Sequence, residues 1–171
     1  MGFRLRFRRS SIPALASRYE YASGPRTLAL MDSIPGVRSK GFLSQRDLVV
    51  LARWKALRNA GRVARNSDSY VRTVSRFALS TRDERARIEA LTLLEGVGWP
   101  MASSILHFYH RGRYPVLDFR ALEALSTEVP ATYDFDFWWD YVTFCRELAR
   151  STGTDMRTLD RALWQWSKEN G

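Results

Sequence analysis

One cysteine, Cys145, stands in a chain of 171 residues. A lone thiol closes no internal disulfide, completes no four-cysteine zinc site and holds no iron–sulfur cluster. It fits a reducing, intracellular setting. Lysine is almost as scarce: only Lys40, Lys55 and Lys168 appear among 27 cationic side chains, and the rest are arginine. His107 and His110 are the only histidines, and they have no companion cysteines or carboxylates at metal-ligand spacing. A metal-dependent centre of the usual kinds is therefore not expected. No stretch reaches the ~18 apolar residues of a membrane span. The basic opening MGFRLRFRRS lacks the apolar run of a signal peptide, and Arg6 stands where myristoylation wants Ser or Thr. The expectation is a soluble cytoplasmic or nucleoid-associated protein with no membrane partner, monomeric by default.

What the chain does have is apolar mass and positive charge. Hydrophobic residues make up 45%, enough for a real core in a single domain of this length. The net charge is +9, carried mainly by arginine, whose planar fork matches phosphate oxygens in pairs. A high-GC genome explains arginine in place of lysine, but it does not explain the excess of positive charge. The balance points to nucleic acid.

Nearly every segment has helical period. Phe3, Leu5 and Phe7 alternate with arginines, which predicts a basic extended arm over residues 1–10, clipped to the body by its apolar side. Helices are expected at 12–23, at 47–57 behind a Ser44 cap, at 70–79, from Thr81 to a stop at Gly96, at 100–109, at 118–125, at 137–150, and at 155–168 behind Thr154. Pro25, Pro35 and Gly36 read as a loop. Residues 59–68 read as a polar connection. No sheet and no repeat is visible, so the fold class is all-α: a compact multi-helix domain spanning 1–171.

The most informative stretch is LTLLEGVGWPMASSIL, Leu91 to Leu106. Two helices flank Glu95-Gly96-Val97-Gly98. Glycines permit a tight turn and let backbone approach a ligand, Val97 can plug the groove between the helices, and the amides at the second helix start suit phosphate. Gly96, Val97, Gly98, Trp99 and Ala102 are the candidate DNA-binding residues. An ordinary helical corner with two convenient glycines is the bland alternative.

The pattern Leu94-Glu95-Gly96-Val97-Gly98 with Ala102, then Val116-Leu117-Asp118, resembles the helix-hairpin-helix DNA glycosylase superfamily. The close motif covers about 35 residues, 86–122, and the 22-residue step from Gly96 to Asp118 matches the family's separation of hairpin and catalytic aspartate. The resemblance implies an N-glycosylase that flips a base and uses Asp118, which by itself reads as a helix N-cap. It implies no required cofactor. A structural cation (monovalent, Ca²⁺ or Mg²⁺) would sit on the carbonyls of Thr92, Leu94 and Val97 when DNA is bound. Bifunctional relatives carry a lysine where this chain has Pro100, so strand-cutting lyase chemistry is not expected unless Lys55 supplies the amine. Trp54, Lys55, Arg58, Asn66 and His107 are candidates for the base pocket or wedge. The dense aromatics from Tyr133 to Phe144 read as core. The rival function is a non-catalytic DNA-binding hairpin module.

Overall fold

The computed structural model describes residues 2–171. Among them all regular structure is helical. In chain order the helices are α1 (Ile12–Ser17), α2 (Pro25–Lys40), α3 (Gln45–Lys55), α4 (Ala60–Val63), α5 (Asp68–Ser80), α6 (Glu84–Leu91), α7 (Trp99–Tyr109), α8 (Phe119–Ala124), α9 (Phe135–Thr152) and α10 (Met156–Asn170). Short 3-10 turns stand at Arg9–Ser11 and Leu57–Asn59. The all-α expectation holds. No helix is long and apolar enough to cross a membrane.

The contacts group the chain into two compact units. The first joins the segment up to Glu20 with Arg113–Gly171. Its extended arm alternates as expected: Phe3, Leu5 and Phe7 are half-buried and the intervening arginines exposed. Phe3 meets the rings of Phe137, Tyr141 and Phe144, and Phe7 stacks on Trp166. The arm's amides at Arg4 and Arg6 donate to the carbonyls of Leu125 (2.9 Å) and Ala124 (3.0 Å), so it is tied at the C-terminal end of α8. Helix α1 ends at Ser17, earlier than its composition suggests, and packs along α10. The aromatic helix α9 buries Trp138, Tyr141, Val142, Cys145 and Leu148. Full burial pushes the Cys145 thiol well up, leaving a packing residue without nucleophilic character. Asp155, not Thr154, caps α10 through Thr158 N–H (2.9 Å).

The second unit is Tyr21–Gly112. Its largest departure from expectation is α2, a 16-residue helix where a loop was expected. Pro25 starts this helix, where proline fits. Pro35 and Gly36 lie on its exposed face, where water can take the carbonyl that Pro35 leaves without a donor. The opposite stripe, Thr27, Leu30 and Val37, is buried, and packing against α3 and α7 outweighs local propensity. The polar connection at 59–68 also contains the single-turn helix α4. Ser44 caps α3 in a capping box with Asp47. In α5, Val71, Val74 and Ala78 face inward and Phe77 faces out.

Arg87 ties α5 to α6. It is only 5% exposed, and its guanidinium donates to the carbonyls of Ala78 (2.8 Å) and Thr81, pairs with Glu84 (3.2 Å) and meets His110 Nε2 (2.8 Å). Those contacts position the approach to α6, which Asp83 caps through Ala86 N–H (2.7 Å). Thr81 is not the cap; its hydroxyl instead accepts from Asp83 N–H (3.2 Å).

Candidate nucleic-acid interface

Helix α6 stops at Leu91, and three tightening bonds, from the amides of Thr92, Leu93 and Leu94 to carbonyls three residues back, follow before Gly96, so the turn is longer than a glycine stop alone would give. Leu94 and Val97 are buried. Val97 fills the groove as the sequence suggests, with its N–H on the carbonyl of Leu94 (3.0 Å). Leu93, beside the buried Leu94, is 66% exposed. The two glycines serve different ends. Gly96 has φ +80°, and a Cβ there would meet Val63 Cγ2 at 3.0 Å and Arg62 Cβ at 3.1 Å. The chain itself therefore requires glycine at 96. Gly98 is extended, and a Cβ there would meet nothing closer than Pro100 Cδ at 3.9 Å. Nothing within the protein demands glycine at 98; its bare face is open to an approaching ligand.

Gly98 is the N-cap of α7 and makes no side-chain cap bond. The N–H groups of Gly96 and Gly98 meet no acceptor among the described residues. Ala102, expected among the DNA contacts, does not face outward. Its methyl is fully buried and its N–H closes the first turn on Gly98 O (2.9 Å), so it supports the turn from beneath. Trp99 is half-buried at the first helical position. Of the three carbonyls implicated in a cation, that of Leu94 already accepts from Val97, leaving it one lone pair. The donor set is neutral oxygens, suited to a hard cation only with a phosphate to complete it. No group of three or more His, Cys, Asp or Glu side chains is placed to hold a metal among the described residues.

Asn66 proves to be the turn's brace. It is 7% exposed; its Oδ1 accepts from Glu95 N–H (2.9 Å), and its Nδ2 donates to the carbonyls of Val63 (2.9 Å) and Glu95 (3.0 Å). Gln45 in turn donates to the carbonyls of Ala64 and Asn66 (both 2.8 Å). Asn59 reaches Gly96 O at 3.5 Å, and Arg65 pairs with the Glu95 carboxylate. Asn66 therefore spends both amide hydrogens and one Oδ1 lone pair on the backbone, and its burial keeps the remaining lone pair from an approaching base edge. Asn66→Ala strips Glu95 N–H and Glu95 O of their partner and leaves Val63 O with the Asn66 N–H alone, and the expected loss is about 2 kcal/mol in urea unfolding. A loss below half of that would remove it from the role of brace.

The turn opens onto a hollow of about 700 Å³ lined by Asn59, Arg62, Tyr70, Leu93 and the backbone from Thr92 to Gly98. Arg62 and Tyr70 were not expected there; the sequence offered no pairing signal for either. Four other candidates lie elsewhere in this unit. Trp54 is half-buried, its Nε1–H donating to Thr27 Oγ1 (3.2 Å) and its ring edge-to-face with Phe108 at 4.8 Å. The His107 ring also meets Phe108, at 4.7 Å. Lys55 is half-buried at the end of α3, and Arg58 is exposed in the following 3-10 turn.

Asp118 belongs to the other unit. It is half-buried and caps α8, its Oδ1 accepting from Arg120 N–H at 3.0 Å. The extended segment before it is pinned: Tyr114, Val116 and Leu117 are buried, and Tyr141 donates its hydroxyl to Val116 O (2.8 Å). Tyr133 lies within electrostatic reach, for burial first and then the Asp118 charge push its phenol up. The next residue, Phe119, is 57% exposed. Arg120 sits 5.1 Å from the Phe119 ring and 5.2 Å from that of Trp164. An acid fixed by its own helix start is thus flanked by an exposed ring, a cation and a phenol. Adjacency to Asp118 was the available signal for Phe119; Tyr133 comes from a distant loop and had none. No protein-family model, curated protein or solved structure matches the chain.

Proposed function

We propose that this protein is a monofunctional DNA N-glycosylase, which grips a strand at the glycine turn and uses Asp118 to release an altered base. The observation that carries the reading is Gly98, bare at the start of α7 with no steric need for glycine within the chain. The family pattern adds Asp118, 22 residues beyond Gly96. In the reaction the bond from C1′ to the base breaks, and the base leaves with the electron pair and takes up a proton. Positive charge develops on the sugar, where a carboxylate stabilises it. Water adds at C1′ and its proton passes to the acid, leaving an abasic site. The nucleotide must leave the stack first, which is why a backbone grip belongs to the chemistry. Pro100 offers no amine, so the strand stays intact. A cation at the turn carbonyls would bridge the backbone to a phosphate once DNA is bound.

Three substrate classes suit this chemistry: alkylated bases, which leave readily because they carry charge; modified pyrimidines; and bulky hypermodified phage cytosines, which would place the enzyme in antiviral defence. The test is a panel of oligonucleotides carrying these bases, together with modified phage DNA. Incubation followed by alkali should break the strand at one class of base, with no break before alkali. A panel yielding no abasic product overturns the reading.

A further inference from the structure

The hollow beside the turn holds more than backbone amides. Tyr70 is 42% exposed, its hydroxyl makes no hydrogen bond, and its ring stacks on no other aromatic among the described residues. Leu93, on the same hollow, is 66% exposed. Large apolar groups sharing one concave surface are a binding feature, not a packing one. The cations nearby divide in the same way. Arg65 is tied to Glu95 and Arg72 to Asp68, whereas the Arg62 guanidinium meets no acceptor among the described residues. The hollow, of about 700 Å³, is open to solvent along one side. It combines a free guanidinium, two free amides, an open aromatic face and an aliphatic wall.

We propose that this hollow seats one unpaired nucleotide of a DNA strand, its phosphate on Arg62 and the Gly96 and Gly98 amides, its base on Tyr70 against Leu93. The seat rests on the reading that the turn grips DNA. A paired base is held in its own stack and cannot reach the ring; a splayed base can, whatever its identity, because every base has a π face. The seat therefore gives the protein a preference for locally single-stranded DNA at the turn, without sequence preference.

The test uses the full chain and fluorescently labelled DNA: a 12-nucleotide single strand, the same length of abasic backbone, and a blunt duplex. Tyr70→Ala should weaken the single strand by about tenfold or more and leave the abasic backbone and the duplex unchanged. Tyr70→Phe should bind as wild type, and Leu93→Ser should repeat the alanine result at smaller scale. Arg62→Gln should lower the slope of log affinity against log salt by about one for all three probes. Equal binding of the single strand by wild type, Tyr70→Ala and Leu93→Ser, with DNA affinity intact, overturns the seat and leaves the gripping turn standing. Absence of binding to any probe overturns both.

Discussion

Asp118→Asn is expected to lower base release by about 10² to 10³-fold while DNA affinity and melting temperature stay at wild-type values. The stability half of that result follows from the cap. Asp118 holds Arg120 N–H at 3.0 Å, and asparagine caps a helix as well as aspartate does. Asp118→Ala, in contrast, should also cost about 1 kcal/mol, because the start of α8 loses its acceptor. A second readout needs no substrate. The Asp118 charge helps to hold the Tyr133 phenol up, so removing it should let Tyr133 ionise at lower pH, with burial still keeping it above a free tyrosine. Base release measured in single turnover, affinity by anisotropy and the phenol by its ultraviolet titration separate three cases. An enzyme loses release alone. A non-catalytic DNA module has no release to lose in either form. Unchanged release in the asparagine variant would remove Asp118 from the chemistry and take the proposed mechanism with it.

The largest stability effect is expected at Arg87. Replacement by methionine matches the bulk but leaves the carbonyls of Ala78 and Thr81 without their donor and removes the Arg87–Glu84 ion pair. Breaking one side of a buried ionic cluster costs about 3–5 kcal/mol, a large share of the ~5–15 kcal/mol that holds an ordinary domain together. Lysine should recover little, since its point charge cannot serve carbonyls and carboxylate from one planar fork. Urea unfolding followed by circular dichroism measures both variants. A cost below 1 kcal/mol for Arg87→Met would mean that water replaces the guanidinium, and that the α5–α6 corner does not depend on it.

How far these features could be read from the chain depends on whether local sequence or distant packing decides them. The Ser44 cap, the helices α3 and α5, the Val97 plug and the Asp118 cap all rest on short-range spacing, and all were legible. The helix through Pro35 was not, because only its packing on α3 and α7 outweighs the proline. Asn66 looked like a turn residue available to a ligand; its role as brace depends on Glu95, 29 positions away. Leu93 and Leu94 are chemically alike, yet the first is exposed and the second buried, and nothing in their own side chains decides which is inside. Both glycines were visible, yet their division of labour depended on φ at 96 and on what stands 3.0 Å away.

The arm and α1 come first in the chain, but the helix they pack along, α10, comes last. During synthesis Tyr21–Gly112, a continuous stretch, can collapse while the ribosome is still making the remainder. Phe3 must wait for α9, and Phe7 for Trp166. The unit that carries Asp118 is therefore the late-maturing part of the molecule, and a nascent chain would possess its glycine turn well before its acid is held in place.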